Sequence, residues 1–253
     1  MSEAIVWNQI APTYEEEVFD VYKNDKHKKV EQYVSKHADL KKTAIDYGCG
    51  VGKALPLMAP LFKEVMAVDI SQNCLDVAQA KYAMENITYK QADLGKKKID
   101  LPMADFIFCC NVAIAPNINK NYRILTNALN FLKKGGSAVF VVPSLESASH
   151  AKQQLVQWYL KEGLKISEIP KQDIAQVENI NPEQPLKGFI KLSDTLNKHY
   201  LFDELYALFN TDYSVVESIE KVEYNWDTEF VSPPKWMTDP YPWDWLIEVK
   251  RKK

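Results

Sequence analysis

The sequence predicts an α/β fold, a mostly parallel, doubly wound sheet with helices on both faces. Three observations carry this. Short apolar runs alternate with amphipathic helical patterns over residues 40–145, as expected for strands buried on both faces. The run Ala44-Ile45-Asp46-Tyr47-Gly48-Cys49-Gly50-Val51-Gly52 joins an apolar strand to a helical pattern through a glycine-rich turn. A length of 253 residues with 46% hydrophobic content suits one large α/β domain, or a domain with insertions.

The elements follow in order. Residues 28–41 have the pattern of a helix beside the first strand. The first strand ends at Asp46 and its glycine turn, and a helix opens near Lys53-Ala54-Leu55. The run Glu64 to Ile70 is a second buried strand ending in Asp69. A helix over residues 73–83 presents Leu75, Val77, Ala78 and Tyr82. A third strand covers residues 87–90, with Asp93-Leu94 just after it. The fourth, residues 104–111, places Asn111 at its carboxyl end. A helix over residues 121–132 is expected to close on Gly135-Gly136 as a C-cap, before a fifth strand at 137–143.

A strand, a glycine turn and a helix N-terminus form a site for a polar or anionic ligand. Glycines admit close backbone approach, and the free helix N–H groups face the ligand. Two familiar spacings fail here. A dinucleotide fingerprint needs a third glycine where Lys53 stands. A phosphate loop needs one more residue between Gly48 and Gly52, and a hydroxyl where Ala54 stands. The spacing Asp-x-Gly-x-Gly-x-Gly fits without mismatch.

This run, with Asp69, Asp93 and Asn111 at the ends of the next strands, resembles the motifs of class I S-adenosylmethionine-dependent methyltransferases over residues 40–145. The resemblance implies a seven-stranded, mostly parallel, Rossmann-like sheet with a C-terminal antiparallel hairpin. It implies S-adenosylmethionine as cofactor and S-adenosylhomocysteine as product. Asp69 would accept hydrogen bonds from the ribose hydroxyls, and Asp93 would take the adenine amino group. The cofactor-binding set is then Tyr14, Asp46, Gly48, Cys49, Gly50, Gly52, Asp69, Ile70, Asp93, Leu94, Asn111 and Val112.

Composition narrows the partners. A net charge of −3 argues against a broad electropositive surface for nucleic acid. The basic runs at 26–29, 96–98 and 250–253 are solvated faces or tails. No segment is apolar for long enough to span a membrane, and the N-terminus lacks a signal-like run. The four cysteines show no C-x-x-C pairing and the four histidines no ligand spacing, so free thiols, a cytoplasmic setting and no metal are expected.

The chain is expected to form one domain over residues 1–253, with an N-terminal lid over 1–40 and a cap insertion over about 144–200. Trp7-Asn8-Gln9-Ile10-Ala11-Pro12-Thr13-Tyr14 resembles the family's lead-in segment, which folds over the cofactor. An apolar plug at the sheet edge is the alternative. Residues 144–163 form an amphipathic helical pattern with Ser144 as N-cap and Gly163 as stop. A polar stretch and residues 188–192 follow it. The last helix is expected at 203–209, and the final strands at 213–224 and 245–250. Between these strands lies an aromatic connection with Trp226, Phe230, Trp236 and Trp243, which either walls a pocket, meets a partner or packs as a satellite core.

Methyl transfer from a sulfonium is an in-line displacement, so alignment and water exclusion dominate. A protonated nucleophile also needs a base. His199 is the candidate, with Tyr14 and more weakly Tyr22 and Tyr200 beside it. After Asn111 the chain continues Val112-Ala113-Ile114, without the Pro-Pro-Tyr run with which related enzymes hold a nucleobase or glutamine amide. The expectation is therefore methyl transfer to an oxygen or nitrogen of a small molecule. A protein or RNA methyltransferase, or a non-catalytic cofactor-binding partner, are the alternatives.

Overall fold

The computed structural model describes residues 3–174, 188–192 and 195–253. Strands β1 (Asp39–Tyr47), β2 (Phe62–Asp69), β3 (Ile87–Gln91), β4 (Ala104–Cys110) and β5 (Leu132–Pro143) run parallel. A separate antiparallel hairpin pairs β6 (Phe189–Leu192) with β7 (Thr195–Lys198). Strand β8 (Ser214–Glu223) pairs antiparallel with β9 (Trp243–Arg251), which lies antiparallel on β5. The seven-stranded order is β3-β2-β1-β4-β5-β9-β8. The chain winds outward through β2 and β3, then returns to lay β4 on the other side of β1. In open α/β sheets the crevice at such a reversal, beyond the strands' carboxyl ends, is where ligands bind.

The helices are α1 (Glu3–Ile10), α2 (Tyr14–Glu17), α3 (Val21–Asn24), α4 (Lys29–Lys36), α5 (Leu55–Met58), α6 (Gln72–Lys81), α7 (Ile118–Asn130), α8 (Leu145–Lys161), α9 (Lys171–Ile174) and α10 (Phe202–Phe209). Strand alternation sends successive side chains to opposite faces. Ile45, Tyr47, Ile107, Cys109, Ala138 and Phe140 join one core, packed under α7 and α10 through Ile124, Leu125, Leu205 and Phe209. Ala44, Phe106, Phe108, Val139 and Val141 join the other, under α4, α5 and α6 through Val34, Leu55, Met58 and Leu75. Each fully buried Phe or Ile contributes about 1.5–3 kcal/mol. The adjacent thiols Cys109 and Cys110 divide between these faces, as alternation requires.

Two boundaries differ from expectation. The helix expected over residues 28–41 stops at Lys36, because Asp39 already pairs with Phe62 as the first residue of β1. Gly135-Gly136 is not a helix cap. Helix α7 ends at Asn130, the Phe131 N–H bonds back to Ala128 and Leu129, and β5 starts at Leu132. The β4–β5 pairing shifts between Ala104 and Phe106, and a Cβ on Gly136 would lie 2.9 Å from the Asp105 carbonyl. The glycine pair thus serves a strand irregularity with close backbone approach.

Ser144 caps α8 by accepting from the Ser147 N–H. The aromatic connection before β9 packs beneath this helix as a satellite core: Trp226 and Met237 bury with Ala151, and Trp158, Phe230 and Tyr241 pack around them. Of the expected cap, residues 175–187 and 193–194 lie outside the described residues. No helix among the described residues is long and apolar enough to cross a membrane.

Candidate cofactor and acceptor site

The site is built on the turn after β1. The N–H groups of Gly48 and Cys49 both donate to the Val68 carbonyl, at 2.8 and 2.9 Å, which fixes the turn against β2. The Gly50 N–H donates to Asp69 Oδ2 at 2.9 Å, and the Ser71 N–H donates to Asp69 Oδ1 at 2.8 Å. The carboxylate at the end of β2 is therefore clamped by two backbone groups at the edge of the turn. Burial pushes its pKa up, while these N–H groups pull it back.

The N-terminal segment closes over this turn. A Cβ on Gly50, whose φ is +52°, would lie 2.6 Å from Tyr14 Oη. The Tyr14 hydroxyl thus occupies the face of the turn that glycine leaves open. Burial and the neighbouring Asp69 push the Tyr14 pKa far above the ordinary phenol value, so it keeps its proton and acts as a donor. Helix α1 is clipped across the start of α6: Ser71 Oγ donates to Asn8 Oδ1 at 2.7 Å, and Asn73 Nδ2 to the Asn8 carbonyl at 3.0 Å. Lys53 and Asp20, 2.7 Å apart, tie the segment to the glycine turn from the other side.

The resulting pocket brings together Tyr14, Gly48, Gly50, Asp69, Ile70, Asp93, Leu94, Asn111 and Val112 of the expected set. It also takes in Glu3, Trp7, Cys74, Cys110, Lys120 and Ile124. Lys120 is the notable addition. Its ammonium lies 2.7 Å from Glu3 and 3.2 Å from Asp93, joining α1 to the loop after β3. Asn117 caps α7 by accepting from the Lys120 N–H. A lysine in the first turn of a helix opposes the macrodipole. That misplacement, after a capping Asn, is the signal in the sequence that could have marked it.

Of the expected cofactor set, Asp46, Cys49 and Gly52 stand outside the pocket wall, as do the base candidates His199, Tyr22 and Tyr200. Asp46 pairs within the sheet with Ala67 and Phe108 and is 3% exposed. Its Oδ2 is buried without a hydrogen-bond partner, and burial together with the Asp69 charge raises its pKa to about 8. It therefore carries its proton at neutral pH. Cys49 is buried among the residues of the α5–α6 face. A Cβ on Gly52 would meet Leu55, Ala78 and Tyr82, so this glycine serves helix packing. His199 follows β7. Its N–H donates to the Gly188 carbonyl and its ring bonds the Asn197 carbonyl at 3.2 Å. Burial lowers its pKa to about 4, and it is not among the residues that line the pocket. Tyr200 is fully buried, and its hydroxyl donates to the Ala113 carbonyl.

The chemistry of the wall tests which ligand fits. Asp69, Asp93 and Glu3 face it with a single lysine, Lys120, already paired to two of them. A pyrophosphate would meet Asp69 with no unpaired cation among the described residues of the wall. A ligand with hydroxyl and ammonium groups and a sulfonium meets acceptors instead. Ile70, Leu94 and Ile124 supply apolar surface for a flat ring near Asp93. The residues fit an adenosyl amino acid.

The Glu3–Lys120 contact should hold α1 on the pocket. A double-mutant cycle with Glu3→Gln and Lys120→Met, read as the opening free energy of α1 amides by hydrogen exchange, should give a coupling of about 0.5–1 kcal/mol. Strictly additive effects would mean that the pair does not tether the helix.

Residues 44–136 match a family model described as a methyltransferase domain. Solved structures share the fold at low identity. A protein from Pyrococcus horikoshii is 18% identical, with 98% of this chain and 99% of that one covered and a TM-score of 0.60. The N-methyltransferase NodS from Bradyrhizobium japonicum, in complex with S-adenosylhomocysteine, is 11% identical over 97% and 98%, with a TM-score of 0.57. A chain from the complex between the Haloferax volcanii Trm112 activator and a methyltransferase is 13% identical over 98% and 98%, with a TM-score of 0.59. No curated protein matches the chain by sequence.

Proposed function

Since this chain carries a class I S-adenosylmethionine-dependent methyltransferase domain, we propose that it transfers the cofactor's methyl group to an oxygen or nitrogen of a small molecule. The observation that carries this reading is the closure of the site by the chain's own N-terminal segment, with Trp7 and Tyr14 in the wall and Tyr14 Oη over Gly50. A small acceptor has few remote groups to bind by, so enclosure must supply both alignment and water exclusion. An extended macromolecule would need an open face instead.

The cofactor supplies an electrophilic methyl group when bound. Asp69 would hold the ribose hydroxyls, held in place itself by Gly50 and Ser71. Asp93, with Lys120 swung aside or still paired through its other oxygen, would take the adenine amino group. The backbone at Gly48 and Gly50 gives the amino-acid end its close approach, and the Tyr14 hydroxyl donates above it. His199 has no part in this scheme. Its ring is held on the Asn197 carbonyl of β7, and it does not line the pocket.

Hydrogen exchange with and without S-adenosylhomocysteine tests the reading. Bound ligand should slow exchange in residues 7–14 by about tenfold or more, equivalent to about 1.4 kcal/mol of added protection. Equal exchange in both states would make a macromolecular acceptor on an open site the better reading.

A further inference from the structure

Asn111 belongs to a polar cluster with Asp244 and Tyr224. Asn111 follows β4 with a left-handed backbone, φ +53°, and stands in the pocket wall. Its Nδ2 donates to Asp244 Oδ2 at 3.2 Å. The Tyr224 hydroxyl donates to the same oxygen at 2.8 Å. Asp244, the second residue of β9, is only 9% exposed. Both of its bonds fall on one oxygen, and among the described residues none reaches Oδ1. Asn111 Oδ1 is buried without a partner.

No cation among the described residues pairs with Asp244. Glu229, an exposed residue, adds a second acidic group whose pKa is raised by desolvation first and by the Asp244 charge second. Burial raises Asp244 as well, while the Tyr224 and Asn111 bonds favour its charged form. Tyr224 presents its ring edge-on to Phe19 at 4.9 Å, so the cluster has an aromatic border. A buried acceptor left without a donor costs about 1–3 kcal/mol, and a buried carboxylate without a cation costs more. An orphan acceptor in the pocket wall, Asn111 Oδ1, joined to a carboxylate that no described cation pairs with, is complementary to one kind of ligand group, a cation that carries N–H bonds.

We propose that Asn111 and Asp244 form the acceptor side of the site and that the acceptor is an amine, bound as its ammonium. This rests on the methyl-transfer reading above. The ammonium gives one proton to the Asp244 carboxylate, which frees the nitrogen lone pair. That pair forms the new N–C bond to the methyl carbon as the C–S bond breaks, and the C–S electrons stay on sulfur as a neutral thioether. The positive charge passes to the methylated nitrogen, and Asp244 returns its proton to solvent. Tyr224 is a positioning residue, since it acts only through the carboxylate.

Sinefungin tests this without any acceptor in hand. It carries C–NH3+ where the cofactor carries S+–CH3, and so presents an ammonium toward the acceptor side. Calorimetry on the wild-type protein should find sinefungin bound about tenfold or more tighter than S-adenosylhomocysteine, the scale of a charge-assisted hydrogen bond. In Asp244→Asn the ratio should fall to near one, with S-adenosylhomocysteine affinity held within about twofold. Failure to bind either ligand would count against the methyltransferase reading itself. Normal S-adenosylhomocysteine binding with no wild-type preference, or a preference that Asp244→Asn leaves intact, would overturn the amine proposal in favour of a neutral acceptor. Should Asp244→Asn not fold, the wild-type ratio still decides.

Discussion

Gly50→Ala is expected to abolish S-adenosylhomocysteine binding, with affinity reduced by about 100-fold or more, while the protein still folds. The expectation has two physical parts. Gly50 has φ +52°, a conformation that costs an L-residue about 1–2 kcal/mol. A methyl group there also lies 2.6 Å from Tyr14 Oη, so the tyrosine must move or the turn must deform. Both disturb the surface that approaches the ligand, and that surface tolerates shifts of only fractions of an ångström. The core is untouched, so the melting temperature should fall by only about 2–8 °C. Calorimetry and a thermal melt measure the two quantities separately. Retained affinity would show that the turn does not face the ligand. Adding Tyr14→Ala separates the parts. Binding recovered in the double variant would assign the loss to the collision, and persistent loss would assign it to backbone strain.

Asp69→Ala should weaken S-adenosylhomocysteine binding by about 1–3 kcal/mol, or about 5- to 150-fold. The carboxylate accepts from Gly50 and Ser71 and so couples the glycine turn to the start of α6. Its removal takes away the ribose acceptor and the clamp together. Asp69→Asn keeps the shape but not the charge, and should fall between wild type and Ala. The loss of fold stability should be small by comparison, because the buried carboxylate already bears a desolvation penalty. Equal affinity in wild type and Asp69→Ala would remove this residue from the ribose site.

Much of this was legible in the chain itself, and the reason is locality. Strand alternation has a period of two residues and helix patterns a period near 3.6, so apolar spacing alone marked β1, β2, β4 and β5 and the helices between them. The turn from Asp46 to Gly52 is a run of consecutive residues whose glycines report backbone shape directly; Gly48, Gly50 and Gly52 all have positive φ. Asp69, Asp93 and Asn111 close their strands, and strand ends of one parallel sheet meet at one edge whatever the connecting lengths. Local pattern misread Gly135-Gly136, because a glycine pair after a helix looks alike as a cap and as a strand irregularity. The deciding contact, with the Asp105 carbonyl, comes from the neighbouring strand.

The tertiary structure alone decided what surrounds those motifs. Lys120 meets Glu3 across 117 residues, and Asn111 meets Asp244 across 133. Neither contact has a spacing that a sequence pattern can express. Both follow from strand order, since β4 beside β1 brings α7 over the pocket, and the return of β9 to β5 sets Asp244 next to Asn111. His199 shows the converse. Its chemistry and chain position suggested a base, but the β6–β7 hairpin holds its ring on a backbone carbonyl, and it is not among the residues that line the pocket. A residue type states what a side chain can do, and the packing of distant segments determines what it faces.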